Sequence, residues 1–470
     1  MVIKRLIGLA LIFILVACHP STSMQPTQPE AGARRLVILY TGDEHGWIEA
    51  SQESAGAAAL LGLWREQEGY GRLDNLLILS GGDMWTGPAI STWFKGESTI
   101  EVMNAMGYHA AAVGNHEFDQ GPAVLRERAA QMNFPLLAAN LIERETGRPP
   151  DWLRPYLVLQ VGDIKVGVIG LAMVDTPLVT QPAHVAALDF QPYEPTLRQM
   201  VPQVRAEGAQ VLVVVSHLCP DEMRALVPLA KTLGISALGG GHCHQRVGQV
   251  VDNVALLSGG TRWEAYARAE ITLDAAGQVV GVQAATRSNR GGTPDPAVAA
   301  IVQRWRDRTD EALAQPIGYV QNEIAQRSDK MSDMLLRAWL LAYPADVAMC
   351  NRGSFRQHIP AGLISMETII GVLPFDNVLI EVRLSGRELL ENIDCCDPAL
   401  AGLTRSEIDP QATYRVLVND FMYGGGDGYR LKKYDPNAYN TGIDWRQPLI
   451  DWLVALNTSP EKPLDSYLEK

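Results

Sequence analysis

Leu36-Val37-Ile38-Leu39-Tyr40-Thr41-Gly42-Asp43-Glu44-His45-Gly46 is the stretch that decides how the rest of this 470-residue chain is read. Its apolar run reads as a strand buried on both faces, and the strand is followed at once by two residues that can bind metal. Four later motifs repeat the arrangement after their own apolar runs. They are Gly81-Gly82-Asp83, Gly114-Asn115-His116-Glu117-Phe118-Asp119, His217 and Gly241-His242-Cys243-His244. Asp43, His45, Asp83, Asn115, His217, His242 and His244 together supply about what two neighbouring divalent metals need when one carboxylate bridges them. Residues i and i+2 leaving a strand project to one side. On that rule Asp43 and His45 reach one metal while Glu44 points away, and His242 and His244 leave Cys243 facing away.

Between residue 35 and about residue 272 short β-branched runs alternate with amphipathic segments. Leu36 to Tyr40, Leu76 to Leu79, Ala110 to Val113, Val166 to Ile169, Val211 to Val215 and Val254 to Leu257 read as strands. Ala57 to Gln67, Thr99 to Met106, Ala123 to Met132 and Thr196 to Ala206 read as helices, which makes this an α/β domain. Ligands of such sheets gather beyond the carboxyl ends of strands, where all five motifs fall. A chain of this length calls for two domains. The expected division is 35–290 for the first, 291–314 for a solvated linking helix, and 315–470 for a second, mixed domain.

The net charge of -13 excludes a protein that grips nucleic acid through its phosphates. Residues 1–18 read as a signal peptide, and Leu15-Val16-Ala17-Cys18 resembles the bacterial lipobox, which implies lipidation at Cys18. Residues 19–34 read as a flexible tether, so an exported, lipid-anchored protein is expected. His19 after that cysteine favours the outer membrane. Five cysteines remain, an odd number that excludes a full set of intrachain disulfides and leaves any single pairing open.

The order Asp-x-His, Gly-Asp, Gly-Asn-His-Glu, His, Gly-His-x-His resembles the calcineurin-like metallophosphoesterases. Asn115-His116-Glu117-Phe118-Asp119 is similar to the motif of their 5′-nucleotidase and UDP-sugar hydrolase branch. The resemblance implies a four-layer α/β/β/α sandwich followed by a mixed α+β substrate-binding domain. It implies that Asp43, His45 and His244 hold one metal, that Asn115, His217 and His242 hold the other, and that Asp83 bridges them. A shared, acidified water would then attack phosphorus. His116 would stabilise the transition state or protonate the leaving group, with Asp119 orienting it. Zn, Mn and Fe all suit the donor set.

In the second domain Asn351-Arg352-Gly353-Ser354-Phe355-Arg356, Leu373-Pro374-Phe375 and Phe421 to Tyr429 resemble the 5′-nucleotidase C-terminal signatures. The resemblance implies Arg356 on phosphate, Phe375 and Phe421 around a base, Asp427 on ribose and Asn351 as a further polar contact. Arg352 and Ser354 stand where the family has glycines, which places a charge beside the implied phosphate subsite. The leading expectation is a dinuclear-metal phosphohydrolase acting on 5′-nucleotides and nucleotide sugars. Alternatives are a 2′,3′-cyclic-nucleotide phosphodiesterase with 3′-nucleotidase activity, a sulfur-ester hydrolase on the same scaffold, and a nucleotide-binding surface lipoprotein without catalysis.

Overall fold

The computed structural model describes residues 33–468. The signal peptide, Cys18 and most of the tether lie outside the described residues. Strand Arg34–Thr41 sits in the middle of a six-stranded sheet. Edge to edge its order is Val279–Ser288, Ala265–Leu273, Arg34–Thr41, Leu76–Ser80, Ala110–Ala112, Leu136–Leu137. A second sheet of six runs Arg246–Val251, Val254–Gly259, Ala237–Gly239, Val211–Ser216, Ile164–Leu171, Tyr156–Val161.

Strand periodicity explains why there are four layers. Leu36, Ile38, Tyr40, Leu77 and Leu79 face the second sheet and pack on Val166, Val168, Val213 and Val215. Their neighbours Val37, Leu39 and Ile78 face the other way, onto Leu60, Leu61, Ile100 and Met103 of helices Gly56–Leu63 and Glu97–Met106. Leu212 and Val214 do the same on the far side, meeting Leu197, Val201 and Val227 of helices Tyr193–Ala206 and Pro220–Leu233. Each aliphatic side chain so enclosed contributes roughly 1.5–3 kcal/mol. The fold is therefore an α/β/β/α sandwich.

Helix Pro296–Leu313 follows, with most of its residues exposed and one face dry. Val298, Trp305, Thr309 and Leu313 are buried, and the Trp305 indole donates to Glu101 at 2.8 Å. Four residues at helical spacing were enough to make one dry face, and the charges occupy the rest. Among those charges Arg306 pairs with Glu49 at 3.4 Å and with Glu367 of the second domain at 2.7 Å.

The second domain is built on a five-stranded sheet ordered Ala399–Ala401, Val347–Cys350, Thr413–Asn419, Val378–Ser385, Tyr439–Asp444. Helices Asp329–Ala342 and Gln447–Leu456 cover one face, and Gly386–Cys396 covers the other. Asn351 and Phe421 leave the ends of two neighbouring strands of this sheet, as Asp43 and Asp83 do in the first domain. Among the described residues no helix is long and apolar enough to cross a membrane.

Candidate active site

The structure brings the expected metal ligands together. Asp43, His45 and His244 place one ligand atom each within 4.8 Å of one another, and so do Asp83, His217 and His242. Asn115 joins the second group, its Oδ1 2.9 Å from His242 Nδ1. His45, Asp83 and His116 form a third such group between them.

The backbone achieves this differently from the strand alternation invoked for the i, i+2 pairs. Asp43, His45, Asp83, His242 and His244 all have left-handed φ, from 48° to 63°. Such conformations are unfavourable for residues with a Cβ and persist only where surrounding contacts impose them. Here the imposing contacts are visible: Asp43 N–H donates to Gly82 O and His45 N–H to Asp83 O, each at 2.9 Å. The first two strand-end turns are thus laced to each other.

Glu117 tightens the same region. Its carboxylate accepts the backbone N–H of Asp83 and of Met84, both at 2.8 Å, and that of Gly114 at 2.6 Å. Glu44 does turn away from the ligand cluster, accepting from Ser80 Oγ at 2.9 Å. Burial raises the pKa of Glu44 to about 8 and, with Asp83 nearby, that of Glu117 to about 7. Cys243 is bonded to Cys219, a link that ties the His242–His244 turn to the segment after His217. Cys395 and Cys396 are bonded to each other, and Cys350 is free and buried.

The donor atoms suit divalent cations. His45 Nδ1 lies 3.2 Å from Thr86 O and His217 Nδ1 2.6 Å from Gly81 O. Carbonyls at those nitrogens call for N–H there and leave Nε2 with its lone pair. Among the described residues buried Asp43 Oδ2 has no hydrogen-bond partner, and His217 Nε2 meets only Asp83 Oδ2, at 3.0 Å. Burial, with neighbouring positive charge, depresses His242 to about 4 and His244 to about 3, so both stay neutral ligands. Burial also opposes protonation of His217, but Asp83 at 3.0 Å and Asp43 overcome it and raise its pKa to about 10. The two carboxylates attract positive charge into the cluster whatever supplies it.

His116 stands at the edge of the cluster. Its Nδ1 is 2.7 Å from Asp119 Oδ2, its Nε2 4.0 Å from Asp83 Oδ2, and its backbone N–H donates to Asp83 Oδ1 at 2.8 Å. Burial works against a charged ring, yet Asp119 and Asp83 outweigh it and hold the pKa above the ordinary imidazole value.

A cavity of about 250 Å³ opens beside His116 and is walled by both domains. Asn351, Arg356, Phe375, Phe421 and Asp427 all line it, as expected. The Arg356 guanidinium has no ion-pair partner among the described residues and lies 6.0 Å from the Phe375 ring centre. Phe375 also stacks on His116, with centroids 5.9 Å apart. Phe421 packs so closely on Gly426 that a Cβ there would lie 2.2 Å from its ring. Asn351 donates to Asp427 at 2.8 Å and accepts from Ser354 Oγ at 2.6 Å. Arg352, expected to add charge near the phosphate, pairs instead with Asp329 at 3.0 Å and is absent from the cavity wall. Ser354 adds a hydroxyl that buttresses Asn351.

Val179, Thr180, Gln181 and His184 of the wall had no sequence signal; they come from a first-domain segment around the helical turns Thr176–Val179 and Pro182–Val185. Only its Pro177 and Pro182 mark that segment as irregular, and nothing local links it to a site.

Known proteins resemble this chain in sequence and in fold. A family model described as the 5′-nucleotidase C-terminal domain matches residues 312–400. A 5′-nucleotidase of Vibrio cholerae is 25% identical over 538 residues, covering 97% of this chain and 96% of that protein. The crystal structure of a 5′-nucleotidase precursor from Thermus thermophilus superposes with a TM-score of 0.79 at 23% identity, covering 91% of this chain and 97% of that one. The calcineurin-like phosphoesterase YfkN of Bacillus subtilis superposes with a TM-score of 0.52 at 20% identity, over 60% of this chain and 99% of that one. Residues 312–400 thus match the 5′-nucleotidase C-terminal domain, and the chain that carries them is a metal-dependent phosphoester hydrolase.

Proposed function

We propose that this protein removes phosphate from 5′-nucleotides outside the cytoplasm, with nucleotide sugars as a second substrate class. The observation that carries the reading is a single cavity in which an unpaired arginine, two phenylalanines and the His116–Asp119 pair meet beside the cluster of metal ligands. Asp43, His45 and His244 would hold one divalent metal, Asn115, His217 and His242 another, and Asp83 both. Bound there, the metals supply Lewis acidity toward the phosphate and toward the attacking water.

The chain's own residues do the rest. Arg356 offers a planar fork to two phosphate oxygens. Phe375 and Phe421 present ring faces to the base, and Asp427 accepts from ribose, its carboxylate fixed by Asn351. His116, kept basic by Asp119, holds the proton that the leaving oxygen needs. Residues 1–18 and Cys18 would deliver the protein to a bacterial membrane and anchor it there by lipid.

The test is turnover of AMP, UDP-glucose, 2′,3′-cyclic AMP and a thiosulfate ester by metal-loaded protein, with metal content measured on the same sample. AMP should release phosphate fastest. A preparation with full metal content that leaves AMP intact ends this reading.

A further inference from the structure

The turn that carries His242 and His244 is held by different means from the turns around Asp43 and Asp83. Both histidines have left-handed φ, 63° and 55°, and such residues stay there only where their surroundings impose it. Up to His242 hydrogen bonds do so: Gly241 N–H donates to Leu218 O at 3.0 Å and His242 N–H to Asp43 Oδ1 at 2.9 Å. From Cys243 to Arg246 the chain is exposed, and the bond from Cys243 to Cys219 ties it back.

That bond joins two ligand-bearing segments at their ligands. Cys219 stands two residues after His217, and Cys243 lies between His242 and His244. The Cα atoms of the two cysteines are 5.3 Å apart, and the ring centres of His217 and His242 are 5.4 Å apart. Strands Val211–Ser216 and Ala237–Gly239 already pair with each other, so the disulfide acts beyond the strand ends, where that pairing stops. Pairing resumes only at Arg246, opposite Gly259. The stretch that the disulfide alone spans is therefore Cys243 to Gln245, with His244 inside it. Cys395 and Cys396, also bonded, belong to the second domain, which supplies none of the seven ligands.

We infer that the Cys219–Cys243 disulfide is a redox-sensitive element of the metal site: closed, it keeps the His242–His244 turn in ligating position beside His217, and opened by a dithiol it frees that turn and lowers metal affinity. This rests on the metal-site reading above. A thiolate of the dithiol attacks Sγ of the exposed Cys243, the S–S bond breaks, and Cys219 Sγ leaves with the electron pair and takes up a proton. The second sulfur of the dithiol then displaces Cys243 and closes its own disulfide. Two cysteines are reduced and one dithiol is oxidised, and exchange with a small-molecule disulfide reverses the step. Opening the bond removes no ligand. It removes a support, and supports of metal ligands are worth about 10- to 100-fold in affinity.

The experiment measures zinc retained against a graded chelator in three samples. They are aerobically purified wild type, wild type reduced with dithiothreitol and freed of it by anaerobic gel filtration, and Cys219→Ser/Cys243→Ser, which never meets the reductant. Alkylation and peptide mapping identify the free cysteines in each. Zinc affinity should fall about 10- to 100-fold on reduction and in the double variant, and return in wild type after reoxidation. Cys395→Ser/Cys396→Ser should respond to dithiothreitol as wild type does. Unchanged zinc retention in reduced protein with Cys219 and Cys243 free overturns the inference, and so does a bond that dithiothreitol leaves closed in the folded protein. Should the double variant fail to fold, the reduction of wild type decides alone. Oxidised wild type that retains no zinc, manganese or iron ends the metal-site reading itself, in an arm that no reductant enters.

Discussion

The carboxylate of Glu117 accepts the backbone N–H of Asp83 at 2.8 Å, so one buried acid sets the position of the residue at the centre of the ligand cluster. The same carboxylate also holds Met84 and Gly114. Glu117→Gln keeps the size but puts an amide NH₂ where an oxygen accepts. Affinity for the metal should fall about 10- to 100-fold, as for other supporting residues of metal sites. Metal retained after dialysis against a graded chelator measures it, and wild-type retention would show that the turn holds itself.

Asp119→Asn removes the charge beside His116 while leaving an acceptor opposite Nδ1. Asp119 is one of the two carboxylates that raise His116 against burial, so without it the ring loses its proton at lower pH. The alkaline limb of the kcat profile should therefore move to lower pH. A limb that stays in place would assign that ionisation to another group.

Arg356→Lys retains a positive charge and loses the planar fork. If two oxygens of one phosphate are bound, kcat/KM for AMP should drop on the order of 10- to 100-fold, about 1.4–2.8 kcal/mol. A loss under twofold would mean that the guanidinium acts only as a point charge.

Gly426→Ala forces a methyl into the Phe421 ring, which must swing aside or distort its loop. Overpacking of this kind costs about 1–3 kcal/mol. KM for AMP should rise about tenfold while the melting temperature changes by only a few degrees. An unchanged KM would separate Phe421 from the base.

Metal removal should lower thermal stability. A ligand present at 100 times its Kd stabilises the folded state by about 2.7 kcal/mol. Scanning calorimetry with and without chelator reads this directly, and coincident transitions would show that the ligand cluster binds no cation in the folded protein.

Much of the site was legible because its residues are scarce types placed in fixed local order: Asp-x-His after one strand, Gly-His-x-His after another. Arg356, Phe375 and Phe421 were legible only through the resemblance of their motifs to the 5′-nucleotidase C-terminal signatures. Hairpin strands Ala265–Leu273 and Val279–Ser288 were not, since alternating Ala, Arg and Glu make a poor hydrophobic signal and only pairing with Arg34–Thr41 buries one face. The left-handed turns at Asp43, His45 and Asp83 escaped too, because backbone bonds between turns impose them and the sequence between Thr41 and Gly81 says nothing of that. Thr180 and Gln181 escaped for a third reason. Gln181 meets its partner Asp420 239 residues away, and no local pattern encodes such a meeting.

The ligand cluster draws on both sheets. Asp43, His45, Asp83 and Asn115 leave strands of the first, while His217, His242 and His244 leave strands of the second. Neither half of the sandwich holds all seven of these residues. A chain cut between residue 143 and residue 154, after the last ligand from one sheet and before the first strand of the other, would yield two fragments that are each blind to metal until they dock. Cation uptake would then report reassembly of the sandwich, and the same cation would act as a rivet across the interface it reports on.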